Sequence, residues 1–267
     1  MMPRRRAHVP ALAAFVSFAA LATPVCSADA AEVCTVIADG TSGQVLLQRG
    51  ACARRVTPAS TFKIAISLMG YDAGFLKDEH TPLLPFQPGY VDWRVSWKQP
   101  TDPARWMRES VVWYSQQVTR ALGEARFADY TRRFDYGNMD VRGDREHDCL
   151  TLSWIGASLQ ISPLEQVGFL TRLLNRRLGV SENAYAMTAR LTAADGAPDG
   201  WNLHGKTGAS SGWGWYVGWV EKDARTLVFA RLVRSDDSQP KDVFTGDWAR
   251  NGFLADLPRL IEQSSPP

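Results

Sequence analysis

Histidine is scarce in this sequence of 267 residues, which contains only four copies. The four are His8, His80, His147 and His204. A metal site needs several ligands close together, and this scatter provides no such set. We therefore expect no metal centre, and we interpret His147 with the neighbouring Asp148 as part of the polar surface.

An excess of charge of one sign is also missing. The chain has 30 Lys and Arg residues against 28 Asp and Glu residues, and beyond residues 4–6 the basic residues form no large cluster. A nearly neutral chain of this kind gives no electrostatic reason to expect nucleic acid or anionic lipid as a partner. Internal repeats and low-complexity segments are absent as well.

Long hydrophobic runs are confined to the first thirty residues. There, three arginines precede an apolar stretch at residues 11–21, and Ala28, Asp29 and Ala30 form a small-x-small site. This pattern is typical of a secretory signal peptide, here residues 1–30, with cleavage before Ala31. The stretch is shorter than the roughly 20 residues of a membrane span, so we expect export to the periplasm or the medium; an uncleaved anchor is the alternative.

The remaining chain, residues 31–267, is long enough to bury a large core. We predict one catalytic domain made of two joined subdomains. Loss of residues 1–30 would remove three arginines and one aspartate, leaving 27 basic and 27 acidic residues. We expect this part of the chain to have no contact with a membrane.

Cysteine is as rare as histidine, with four copies. Cys26 falls in the predicted signal peptide. Cys34 and Cys52 flank two apolar segments joined by a Gly- and Ser-containing turn at residues 39–43, a pattern typical of a β-hairpin. Because a hairpin brings its ends together, we predict a disulfide between them in an oxidising compartment. Cys149 is interpreted as a small buried hydrophobic residue.

The order of predicted elements indicates the fold class. Strand-like segments occupy residues 33–38, 44–48 and 214–233, whereas the middle of the chain is mostly helical, including residues 104–123. Ser162, Pro163 and Glu165 form a capping box at the start of another helix. We therefore predict an α+β fold with one antiparallel sheet built from both chain ends, flanked by helices, and an inserted helical lobe.

One lysine interrupts a segment that otherwise reads as a buried helix, "PASTFKIAISLMG" at residues 58–70. Ser60 is predicted at the helix start, where unpaired N–H groups and the helix dipole favour negative charge. Lys63 lies three residues later, on the same face, with the Cβ atoms about 5 to 6 Å apart. Burial would lower the pKa of this lysine, and a neutral amine can act as a base for the serine hydroxyl.

Serine followed by lysine at the fourth position is a weak signal by itself. It arises by chance in many chains, and a second copy at residues 238–241 lies in a polar loop. The amine of Lys63 could also reach solvent on its long aliphatic stem.

The second pattern is Lys206-Thr207-Gly208, directly before a predicted strand. The chain has only six lysines, and two of them fall in these two short patterns. On an edge strand, the pattern would offer a cation, a hydroxyl and an unhindered backbone to an anionic ligand. Standing alone, it would be interpreted as an ordinary hairpin strand.

Together, "STFK" and "KTG", about 145 residues later, have the order and spacing of the penicillin-recognising serine enzymes. Between them lie "SVV", which begins at Ser110, and "YGN", which begins at Tyr136, in place of Ser-Asp-Asn. The sequence resembles the class D serine β-lactamases, the oxacillinases, over nearly all of residues 31–267. The stretches that carry this resemblance are "SVVWYSQQ", "FDYGNMDV", "SWIGASLQISPLEQVGFL" and "WYVGWVEK".

The resemblance implies hydrolysis of β-lactam antibiotics through an acyl-serine intermediate on Ser60, which confers resistance, with no metal or nucleotide cofactor. Lys63 matches a lysine that carbon dioxide converts to a carbamate, N6-carboxylysine, which serves as the general base. An apolar pocket favours the deprotonated amine that this reaction needs. Val112 matches part of that pocket, and Trp154 matches the tryptophan whose N–H holds the carbamate, although core packing would also account for both.

The resemblance implies further roles around the serine. Ser110 is expected to relay a proton to the leaving nitrogen. The backbone N–H groups of Ser60 and Ala209 are expected to form the oxyanion hole, and Gly208 is expected to contribute to substrate binding.

The substrate carboxylate is the other group that needs partners. Lys206 and Thr207 are expected to face it, and Arg250 aligns with an arginine that pairs with it. The alternative for Arg250 is a solvated helix residue, because the segment before it can be aligned in several ways.

Two other functions share these motifs. A β-lactam-sensing domain is acylated without turnover, but such domains normally follow several membrane spans. A transpeptidase-type penicillin-binding enzyme is disfavoured by the missing anchor and by "YGN" combined with Trp154. The resemblance does not decide between a monomer and a homodimer, and the short connection after Gly208 leaves the substrate spectrum open.

Overall fold

The computed structural model describes residues 32–146, 148–198 and 200–264. The predicted signal peptide and the interpretation of His147 lie outside the described residues. Within these three ranges, no helix is long and apolar enough to cross a membrane.

A six-stranded antiparallel sheet is built from both ends of the chain, as predicted. The first two strands are β1 (Glu32–Asp39) and β2 (Val45–Gly50). The other four come from the C-terminal part: β3 (Ala193–Ala194), β4 (Asn202–Ser210), β5 (Trp213–Lys222) and β6 (Arg225–Arg234). Their order in the sheet is β2-β1-β6-β5-β4-β3. The chain ends therefore meet where β1 pairs with β6, for example Val36 opposite Ala230.

The free edge of β4 matters for the site. The two-residue strand β3 pairs only with Leu203 and His204 of β4. From Lys206 onward, β4 pairs with β5 on one side, and no strand of the described chain pairs with its other side. The Lys-Thr-Gly pattern thus lies on an edge, where its backbone groups are available to a ligand.

Helices cover both faces of the sheet. The seven helices of the described chain are α1 (Lys63–Asp72), α2 (Pro103–Glu109), α3 (Val112–Leu122), α4 (Glu124–Arg133), α5 (Pro163–Leu174), α6 (Glu182–Thr192) and α7 (Thr245–Gln263). Helix α7 packs on one face, where the Phe229 and Phe253 rings stack with centroids 4.0 Å apart. The other face joins the large core of the helical lobe, which explains why β5 and β6 are buried almost throughout.

The helical stretch predicted at residues 104–123 consists of two helices in the structure. Helix α2 ends at Glu109, and α3 begins at Val112. Between them, Ser110 adopts a left-handed conformation with φ 59° and ψ 35°, which ends the first helix. The apolar spacing of the two helices is continuous, so periodicity alone could not reveal this break.

The predicted disulfide joins Cys34 of β1 to Cys52, which lies just after β2, with the Cα atoms 5.1 Å apart. Both residues are fully buried. Cys149 is half-buried rather than fully buried, and burial raises the pKa of its thiol.

Replacing both Cys34 and Cys52 with alanine should lower the free energy of unfolding by about 3 kcal/mol, since the bridge closes a loop with a sequence separation of 18. Urea denaturation under oxidising conditions measures this loss. Wild-type protein treated with a thiol reductant is the matched control and should lose a similar amount. Equal stability of the oxidised wild type and the double variant would contradict a structural role for the bridge.

Candidate active site

Ser60 lies in a 3₁₀ turn, Ala59–Phe62, that leads directly into α1. The residue before it, Ala59, has a positive φ of 50°, which is uncommon for a residue with a side chain. The carbonyl of Trp154 fixes this conformation, because it accepts hydrogen bonds from the Ala59 N–H (2.9 Å) and the Thr57 hydroxyl (2.7 Å). A strained backbone held by several contacts is typical of functional sites.

The amine of Lys63 lies inside the protein beside Ser60. Its side chain is 0% exposed, so it does not reach solvent, and its Nζ is 3.0 Å from the Ser60 Oγ. Burial lowers the pKa of Lys63 well below its ordinary value of 10.5, and the positive charges of Lys206 and Arg94 lower it further. The amine is therefore more readily deprotonated than that of a surface lysine.

Aromatic side chains pack around Phe62, the residue directly before Lys63. The Phe62 ring lies 4.8 Å from that of Tyr136 and 5.9 Å from that of Trp154, measured between centroids. Trp154 is fully buried, yet its indole Nε1 has no hydrogen-bond partner among the residues that the structure describes. A buried unpaired donor is costly and rare, so this N–H marks a place where an acceptor fits.

A cavity of about 210 Å³ opens in front of Ser60. The helical lobe contributes Ser110 and Val112 to its lining, and the edge of β4 contributes Thr207, Gly208 and Ala209. The structure therefore brings together most of the residues singled out from the sequence.

Gly208 allows β4 to pass very close to the Ser60 turn. A Cβ atom at this position would lie 2.9 Å from the Pro58 carbonyl oxygen and 3.1 Å from the Thr61 backbone nitrogen. The Trp215 indole of the next strand donates to the Thr57 carbonyl at 2.9 Å and ties the sheet to the same turn. The short distances around Gly208 explain why the pattern requires glycine at its third position.

Lys206 is the second buried lysine of the site, with 5% exposure. Its Nζ donates to the carbonyl (3.1 Å) and the hydroxyl (3.4 Å) of Thr207. Burial lowers the pKa of Lys206 to about 8, although the negative charge of Asp247 opposes that shift.

Arg250 does not line the Ser60 cavity. It projects from α7 into a neighbouring cavity of about 510 Å³ that also touches Lys206 and Asp247. Its Nη2 donates to the Asp195 carbonyl at 3.1 Å. The predicted contact between Arg250 and a substrate carboxylate stays a prediction.

Several other residues of the cavity lining were not predicted from the sequence, among them Trp93, Arg94, Trp97 and Phe244. The first three belong to a Pro-rich connection without periodicity, and Phe244 precedes α7. The one available signal was the density of large aromatic residues in a segment with no regular structure. In the described part of the chain, no cluster of three or more His, Cys, Asp or Glu residues could hold a metal ion.

Comparison with known proteins agrees with this geometry. The family described as the penicillin binding protein transpeptidase domain matches residues 33–247. The fold is accordingly that of the penicillin-binding enzymes and serine β-lactamases. The crystal structure of the class D β-lactamase OXA-427 superimposes with a TM-score of 0.81 and 43% sequence identity, covering 87% of this chain and 99% of that one.

The sequence comparison narrows the family. β-lactamase OXA-9 of Klebsiella pneumoniae is 41% identical over 264 residues, covering 91% of this chain and 95% of the relative. The chain therefore belongs to the class D β-lactamase family. It is also similar in structure to the C-terminal domain of the Bacillus licheniformis BlaR penicillin-receptor, with a TM-score of 0.75 and 25% identity over 88% of this chain and 92% of that one.

Proposed function

We propose that the protein hydrolyses β-lactam antibiotics through an acyl-serine intermediate, with carboxylated Lys63 as the general base, and thereby confers resistance. The observation that carries this proposal is the fully buried amine 3.0 Å from the Ser60 hydroxyl. Such an amine has no structural advantage over an apolar residue, because burial disfavours its charged form.

The residues around Lys63 fit a carbamate. Carbon dioxide reacts with a deprotonated amine, and the lowered pKa of Lys63 provides one. The unpaired indole N–H of Trp154 offers a donor to the carbamate oxygens. When present, the carbamate supplies the base that accepts the Ser60 proton and later activates water.

The other residues bind the substrate and direct its protons. Ser60 attacks the lactam carbonyl, and the N–H groups of Ser60 and Ala209 stabilise the developing oxyanion, a contribution typically worth about 10² to 10³ in rate per donor. Ser110 passes a proton to the departing nitrogen. Its position supports this role, because Ser110 lines the same cavity as Ser60.

Residues at the edge of β4 bind the substrate carboxylate. Thr207 offers its hydroxyl, and Lys206 offers a positive charge directly behind it. Arg250 adds positive charge from the neighbouring cavity.

We further propose that residues 1–30 are a signal peptide and that residues 31–267 form a single catalytic domain of two subdomains that acts in the periplasm or outside the cell. The predicted disulfide is present in the structure, which is consistent with an oxidising compartment.

A chromogenic cephalosporin tests the proposal. Many turnovers per molecule are expected at neutral pH with bicarbonate, and a Ser60→Ala variant should give none. The structural similarity to the BlaR receptor domain makes a sensor the second candidate. A single equivalent of stable acylation, seen as a mass increase without further colour change, would favour that sensor and overturn the proposal of turnover.

A further inference from the structure

Arg94 lines the Ser60 cavity, and its guanidinium lies near two aromatic rings. Its guanidinium carbon lies 4.0 Å from the Phe244 ring centroid and 5.9 Å from that of Trp97. Arg94 and both rings line the cavity. A guanidinium on a ring face is held in place by cation–π attraction, yet its charge is not neutralised and its N–H donors remain free at the edge of the plane.

The carboxylate closest to Arg94 in the sequence is engaged elsewhere. Asp92 pairs with Lys98, with an oxygen–nitrogen distance of 2.8 Å. No salt bridge within the described ranges involves Arg94.

The two carboxylates that line the cavity also have other partners. Glu109 pairs with Arg105 at 3.0 Å and with Arg108 at 3.9 Å. Asp247 acts on Lys206, where its negative charge opposes the lowering of the lysine pKa. Among the residues described, Arg94 therefore has no salt-bridge partner, whereas Arg108, the other arginine of this lining, pairs with Glu109.

Arg94 also acts at the reacting end of the cavity. Its charge contributes to lowering the pKa of Lys63 and of Lys206, so the guanidinium lies within electrostatic reach of both amines. Arg250, by comparison, lines the neighbouring cavity and donates to a backbone carbonyl.

We propose that Arg94 is a specificity-determining residue that binds a carboxylate of the β-lactam substrate, and that Phe244 positions it. This inference rests on the proposed function. The bound group is either the carboxylate on the fused ring, which also faces Thr207, or a carboxylate on the acyl side chain. Both sources offer the planar anion that a guanidinium fork recognises.

The test compares Arg94→Met with the wild type on a β-lactam that carries the ring carboxylate and on its methyl ester. Methionine keeps an unbranched apolar side chain at this position and removes the guanidinium that lies over Phe244. We expect KM for the acid to rise about 10- to 100-fold while kcat changes little, because a hydrogen bond to a charged group is lost. The ester should show no such change, and Arg94→Lys should recover part of the loss.

Three further arms separate the explanations. Arg133→Met, which removes a cation–π contact with Tyr130 outside this cavity, is the matched control and should leave KM unchanged. Phe244→Leu should raise KM for the acid with kcat preserved. The side-chain source is supported instead if Arg94→Met impairs carbenicillin, which has a side-chain carboxylate, but not benzylpenicillin.

The outcomes also separate this inference from the proposed function. Absence of wild-type turnover would defeat the function itself. Normal wild-type turnover combined with equal effects of Arg94→Met on acid and ester, and equal effects on carbenicillin and benzylpenicillin, would overturn the role of Arg94 and indicate packing alone. A thermal melt of each variant, together with the Arg94→Lys result, excludes misfolding as the cause.

Discussion

Replacing Lys63 with methionine is expected to abolish turnover and to raise the melting temperature of the same protein. Turnover should fall by about 10³-fold or more, since the base beside Ser60 is removed and catalytic groups act as a unit. Stability should rise because methionine fills the apolar site without a charge to desolvate. We expect a gain of about 0.5 to 2 kcal/mol, the size that a single stabilising substitution commonly gives. Colour development and calorimetry measure the two effects.

The pH dependence of this gain has a definite sign. Burial lowers the pKa of Lys63 in the folded protein, so between that lowered value and 10.5 the unfolded chain binds more protons than the folded one. Wild-type stability therefore rises with pH across this interval. The difference between Lys63→Met and the wild type should be largest at the acidic end and should shrink toward pH 10.

Bicarbonate provides the control for the chemistry. Below the lowered pKa of Lys63 the amine is protonated and cannot react with carbon dioxide, so brief exposure to acid should inactivate the wild type. Bicarbonate at neutral pH should restore its activity, whereas the methionine variant should stay inactive. Turnover by Lys63→Met, or a wild type indifferent to bicarbonate, would contradict the proposed role of this lysine.

The parts of this molecule that could be predicted from its sequence depend on short-range patterns. Serine and lysine three residues apart on a helical segment must lie on one face, and the apolar residues around them indicated a buried helix. The alternation at the chain ends indicated strands, and the joining of those ends in one sheet follows from the need to bury their apolar faces. The hairpin pattern likewise brought Cys34 and Cys52 together.

The remaining features depend on tertiary contacts that no local pattern encodes. The left-handed Ser110 interrupts a spacing that is fully helical and separates α2 from α3 at a point that periodicity does not mark. The contact between Arg94 and Phe244 joins residues 150 positions apart in segments without periodicity. The Lys-Thr-Gly pattern identified Gly208 as a candidate site residue. Its close approach to the Ser60 turn, however, could be seen only in the folded chain.

Trp154 is the residue for which sequence left two explanations equally open, a core tryptophan or a donor to the carbamate. The structure contains a feature that fits each explanation. The ring packs among aromatic residues, as a core tryptophan would, and its N–H is unpaired, as a donor to the carbamate would be. Its backbone carbonyl also holds the Ser60 turn. A substitution that changes only the side-chain donor can therefore separate the two explanations.

Replacing Trp154 with phenylalanine should leave the fold intact and weaken the response to bicarbonate. The carbonyl contacts with Ala59 and Thr57 persist, since they belong to the backbone, and loss of an unpaired N–H removes a desolvation cost. A hydrogen bond to a charged group is worth enough to raise the bicarbonate concentration for half-maximal activity about 10- to 100-fold. Titration of acid-treated enzyme with bicarbonate measures this shift.

Trp106 provides the matched control for this experiment. It is also fully buried, but its indole N–H already donates to the Ser115 hydroxyl at 2.8 Å. Trp106→Phe should therefore destabilise the protein, because it leaves that hydroxyl without its donor, and should not change the bicarbonate requirement. The opposite result, with Trp154→Phe less stable than the wild type and unchanged in its bicarbonate titration, would make Trp154 a packing residue and leave the Lys63 carbamate without the indole as a donor.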